Sequence, residues 1–117
     1  MKKNILIIGA SSGIGNSIVE KTKKDYNIYV ANRTSANLNL KEVTYISFDA
    51  TKDVLDDLLI PDIIHGLIYC PGSINLKPFK MLQIEAIRQD MEINFFSMVN
   101  VISSIIPKMT EKASILM

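Results

Sequence analysis

An apolar run, Ile5-Leu6-Ile7-Ile8, leads directly into Gly9-Ala10-Ser11-Ser12-Gly13-Ile14-Gly15 and then into a helical pattern of apolar residues. Few folds accept that succession. An unbroken run of Ile and Leu suits a strand covered on both faces, and hence a parallel sheet. The glycines let the chain leave the strand in a tight turn, with bare main chain where side chains would otherwise stand. The helix that starts there directs its unpaired N–H groups, and roughly half a positive charge, at whatever lies against the turn. A phosphate or diphosphate fits that place. The chain is therefore constrained to an α/β fold with an anion-binding strand–turn–helix junction near its start.

The rest of the sequence continues the theme. Short apolar runs alternate with helical patterns over all 117 residues, without repeat or linker, which predicts one domain over 1–117 built from βαβ units. Strands are expected near 4–8, 27–31, 43–48, 63–69 and 113–117. The first helix is expected from about 13 to 24, with Ile14, Ile18 and Thr22 facing inward and Lys21, Lys23 and Lys24 on its solvated face and end. A short helix is expected around 53–59, stopped by Pro61. Residues 78–107 read as two helices, or as one bent near 92–94. Their second half carries Phe95, Phe96, Met98, Val99, Val101, Ile102, Ile105 and Ile106, wider than the apolar stripe of a surface helix. A partner subunit or a further part of the fold is expected to cover some of it, so a homo-oligomer is predicted. Between Arg33 and Val43 the chain is too short for a full crossover helix.

Composition excludes several classes. Thirteen basic against twelve acidic residues leave a net charge of +1, which predicts neither a nucleic-acid nor a membrane surface. Cys70 is the only cysteine, so no disulfide framework and no structural zinc site can form. His65 has no second ligand or carboxylate at useful spacing and reads as structural, so no metal is expected. The opening Met1-Lys2-Lys3-Asn4 resembles a secretory leader only superficially, because glycine and serine interrupt its apolar stretch. A cytoplasmic setting is the expectation.

The spacing Gly9-x-x-x-Gly13-x-Gly15, with its Ser-Ser-Gly-Ile-Gly wording, resembles the glycine-rich motif of the short-chain dehydrogenase/reductase family. Four further matches follow in the family's order. Asn32-Arg33 ends the second strand, where an acidic residue would favour NAD. The neutral Asn32 beside Arg33, which can pair with a 2′-phosphate, favours NADP instead. Asp49-Ala50-Thr51 follows the third strand, where the family's aspartate bonds the adenine; Asp49 could also cap the helix that follows. Tyr69-Cys70-Pro71-Gly72-Ser73 stands where relatives carry Asn-Asn-Ala-Gly, and only Gly72 matches. Asn94, within Met91-Glu92-Ile93-Asn94-Phe95-Phe96, matches the helix asparagine that helps hold a water in the family's proton relay; it could also satisfy backbone groups at a helix irregularity.

The resemblance implies a Rossmann-like three-layer fold with a parallel sheet in the order 3-2-1-4-5, ending after the fifth strand. It implies that Gly9, Ser11, Ser12, Gly13, Ile14 and Gly15 line the pyrophosphate. Asn32 and Arg33 would meet the adenosine ribose, Asp49 and Ala50 the adenine, and Cys70, Pro71 and Gly72 the nicotinamide side, with Asn94 as part of the catalytic apparatus. Relatives continue past the fifth strand to a catalytic Ser and a Tyr-x-x-x-Lys, and no Tyr-x-x-x-Lys occurs here. The expectation is thus the cofactor-binding half of an NADP-dependent oxidoreductase acting on a small carbonyl or alcohol, a fragment inactive by itself. The alternative is a nucleotide-binding sensor or scaffold protein without catalysis.

Overall fold

The computed structural model describes residues 1–10, 13–35, 38–55, 57 and 59–117. Its strands are β1 (Asn4–Ile8), β2 (Asn27–Asn32), β3 (Val43–Ser47), β4 (Ile64–Tyr69) and β5 (Met109–Leu116). They form one sheet in the order β3-β2-β1-β4-β5, every pair parallel. The helices are α1 (Gly13–Thr22), α2 (Ile84–Met91) and α3 (Ser97–Ile105), the last two joined by a π-helical turn over Glu92–Phe96. This is the doubly covered Rossmann-like arrangement expected from the sequence, with its strand order.

The alternation of side chains along each strand divides the core in two. Leu6, Ile8, Ala31, Leu67 and Tyr69 point to one face and pack with Val101 and Ile105 of α3. Ile7, Ile28 and Val30 point to the other and pack with Val19 of α1. Both faces of β1 are therefore buried, which is why its sequence is apolar without interruption.

Four local expectations are corrected. Helix α1 ends at Thr22, and its buried residues are Gly15 and Val19, whereas Ile14 is 78% exposed. The first turn of α1 lies beyond the end of the sheet, so Ile14 meets a cleft instead of core. Lys23 is not solvated but 7% exposed; four residues after Val19 it lies on the packed side, its stem covered and its ammonium 3.0 Å from Glu20. The described residues of 53–59 are irregular chain and turn, not a helix: just before them the amides of Lys52 and Asp53 close a turn onto the Asp49 carbonyl at 3.1 and 2.8 Å, and Leu55 and Ile60 anchor in the core. Strand β5 begins at Met109, four residues early, because Met109 already pairs with Ile64.

The short β2–β3 crossover holds no helix among its described residues; Glu42 takes φ 67° to turn the chain into β3. No helix among the described residues is long and apolar enough to cross a membrane.

Candidate cofactor cleft

The ends of β1, β2, β3 and β4 open into a cleft of about 430 Å³, where the strand order reverses between β1 and β4. Ligands of open α/β sheets bind at such switch points. Gly9, Gly13, Ile14 and Gly15 form its floor, Asn32 and Arg33 with Asp49, Ala50 and Thr51 one end, and Cys70, Pro71, Gly72 and Ile93 the other. The sequence-predicted residues of the described chain thus converge on one cavity, apart from Asn94, whose neighbour Ile93 lines it. Ser11 and Ser12 lie outside the described residues.

Each glycine has a separate steric reason. Gly9 has φ 79°, and a Cβ there would stand 2.9 Å from the Pro71 ring, so the first turn and the β4 loop touch through bare main chain. A Cβ on Gly15 would stand 2.5 Å from the Gly9 carbonyl oxygen, so only glycine lets α1 approach β1 this closely. Gly13 has φ 59° and, among the described residues, nothing within 4 Å of its Cβ position, an open cradle at the helix start.

Asn32 is buried, and its Oδ1 accepts the Ala10 N–H at 2.8 Å, pinning the glycine turn to the end of β2. Its Nδ2 is buried without a hydrogen-bond partner among the described residues. The orphaned donor, the open cradle at Gly13 and the cleft's size fit a phosphorylated dinucleotide ligand. Arg33 is exposed and close enough to Asp49 to favour its ionised form. Asp49 Oδ1 accepts the Thr51 hydroxyl at 2.6 Å and amide at 2.9 Å, and these bonds hold the carboxyl below its ordinary range. Asp49 thus closes a local turn and caps no helix, since no helix directly follows it among the described residues.

At the opposite end, burial pushes the Cys70 thiol pKa up, so the group is a neutral filler without the thiolate a nucleophile needs. Tyr69 is buried and donates its hydroxyl to the Ile93 carbonyl at 2.7 Å. In an α-helix that carbonyl would receive the Ser97 N–H, which here bonds Glu92 instead. The phenol stands in for the displaced amide, which accounts for the π turn. Asn94, on that turn, pairs with the main chain of Ser73: Oδ1 accepts its N–H at 2.8 Å and Nδ2 donates to its carbonyl at 2.6 Å.

Sequence reasoning missed Asp90. Its carboxylate accepts the Ser73 hydroxyl at 2.5 Å and the Asn75 amide at 3.1 Å, bonds that hold its pKa below the ordinary range. The available signal was its spacing of one helical turn from Asn94. His65 accepts the Asn4 N–H on Nδ1 at 3.0 Å, a structural link between β4 and β1. Among the described residues no group of three or more His, Cys, Asp or Glu could hold a metal ion.

Residues 3–116 match the family profile described as short chain dehydrogenase. An uncharacterized oxidoreductase of Saccharomyces cerevisiae is 27% identical over 125 residues, which cover 93% of this chain and 49% of that protein. A short chain dehydrogenase family protein from Francisella tularensis shares the fold with a TM-score of 0.81 at 20% identity, over 98% of this chain and 50% of its own. A 3-ketoacyl-(acyl-carrier-protein) reductase from Brucella melitensis, in complex with NADH, does so with a TM-score of 0.76 at 16% identity, over 91% and 50%. The chain spans about half the length of these relatives.

Proposed function

The chain belongs to the short chain dehydrogenase family, and on that premise we propose that it is the NADP-binding portion of an oxidoreductase that reduces a small carbonyl or oxidises an alcohol. The observation that carries this reading is the convergence of Gly9, Gly13 and Gly15 with Arg33 and Asp49 on one cleft at the β1/β4 switch point. When bound, the dinucleotide would give a hydride to the carbonyl carbon or take one from the alcohol carbon; the residues of this chain hold and orient it. The main chain around Gly13 receives the pyrophosphate, Arg33 the 2′-phosphate, and Asp49 and Ala50 the adenine. Gly72 lets the nicotinamide-side ribose come close, and Asn94 acts as a positioning residue through Ser73. The reading includes a cytoplasmic setting and assembly through the apolar helix face.

The test is a thermal-shift titration with NADP and NAD. At a hundredfold excess over Kd the ligand should stabilise the fold by about 2.7 kcal/mol. Arg33→Ala should weaken NADP by roughly tenfold to a hundredfold, the worth of a charge-assisted phosphate contact, and leave NAD unchanged. A larger shift with NAD would overturn the NADP preference. These 117 residues hold no Tyr-x-x-x-Lys pair, and such a pair supplies the acid for substrate protonation. The pure 117-residue chain is expected to show no steady NADPH oxidation.

A further inference from the structure

We propose that Asp90 is a positioning residue: with Asn94 one turn later, it staples the loop after β4 to the helix and so sets the end of the cleft farthest from Arg33. The inference rests on the cofactor reading above. Because the sheet runs β3-β2-β1-β4, a dinucleotide with its adenosine at Arg33 and Asp49 reaches Gly72 and Ile93 with its nicotinamide half.

Ser73, next to Gly72, is gripped at three points. Asn94 takes its N–H and its carbonyl, at 2.8 and 2.6 Å, and Asp90 takes its hydroxyl at 2.5 Å. Asp90 also receives the Asn75 amide on both carboxylate oxygens, each at 3.1 Å. The carboxylate is therefore occupied by the loop on both oxygens. Gly72 lies close beneath: a Cβ there would stand 3.4 Å from Asn94 Oδ1. These bonds are solvent-exposed, so they add little to global stability, and what they fix is position. With Asp90 removed, the Ser73 hydroxyl and Asn75 amide lose their acceptor, and Asn94 is left to hold Ser73 to the helix.

The experiment compares wild type, Asp90→Ala and Asp90→Asn by calorimetric titration with NADPH and with 2′,5′-ADP, which carries only the adenosine half. Amide exchange at Ser73 is followed in the ligand-free proteins. Asp90→Ala should weaken NADPH by about threefold to tenfold, the loss of one or two ordinary hydrogen bonds. It should leave 2′,5′-ADP and the unfolding midpoint unchanged, and should speed Ser73 exchange while core amides stay protected. Asp90→Asn, whose Oδ1 can still accept from Ser73, should recover most of the affinity. Unchanged NADPH affinity, a parallel loss of both ligands, or unchanged Ser73 exchange would overturn the role of Asp90. Failure of wild type to bind either ligand would instead overturn the cofactor reading, and the positioning role with it.

Discussion

A methyl group on Gly15 would meet the Gly9 carbonyl oxygen at 2.5 Å and the Ala10 Cα at 2.8 Å, both main-chain atoms that cannot swing aside. Gly15→Ala must therefore push α1 off β1, at a cost of about 1–3 kcal/mol typical of overpacking. Gly13 differs: its Cβ would meet nothing within 4 Å among the described residues, but its φ of 59° strains any other residue by about 1–2 kcal/mol. The two variants separate fold from site. Urea denaturation should show both destabilised, and equilibrium binding should show Gly13→Ala losing more cofactor affinity than Gly15→Ala relative to its stability loss, because only its methyl enters the cradle. Asn32 makes a related point at this scale. Its position read as a ligand contact, yet its oxygen is committed to Ala10 and only its nitrogen remains to be satisfied.

The long helical stretch passes through a π turn where two groups compete for one carbonyl. The Tyr69 hydroxyl at the end of β4 takes Ile93, and the Ser97 amide shifts to Glu92, giving a π turn within an otherwise α-helical run. Such turns recur at functional sites, and this one carries Asn94 to Ser73. Tyr69→Phe should free the Ile93 carbonyl, cost about 0.5–1.5 kcal/mol and lower the thermal midpoint by several degrees. An unchanged midpoint would show that the π turn does not depend on the phenol. Burial pushes the Tyr69 pKa up from 10.0 to about 12. A raised phenol pKa means that its contribution is fully present below pH 10 and is lost as pH rises through about 12, so the tether is intact at neutral pH.

At the scale of the molecule, the radius of gyration is 15.1 Å, against about 13 Å for a compact chain of this length. The excess comes with an uncovered helix: α2 buries no residue, and Ile84, Met91, Phe95, Phe96 and Val99 remain 41–61% exposed. An apolar face of this kind is what the proposed assembly would cover. Sedimentation at micromolar concentration should find an assembly of the 117-residue chain, dispersed by Phe95→Glu with its circular dichroism unchanged. A wild-type monomer would count against self-association through this face.

Sequence alone determined the parallel sheet, the strand–turn–helix junction and the place where the long helical stretch becomes irregular, because these follow from period, glycine spacing and chain length, all of which are local. It also assembled most of the cleft's residues, since each sits at a strand end and the strand order brings those ends together. Tertiary structure decided the rest. Whether Ile14 meets core or cleft depends on where the sheet stops. Whether 53–59 is helical depends on the core's hold on Leu55 and Ile60. Which groups Asn32, Asp90 and Asn94 satisfy depends on loops distant in sequence. A polar side chain specifies only that it needs a partner; the packing of the whole chain chooses which one comes within reach.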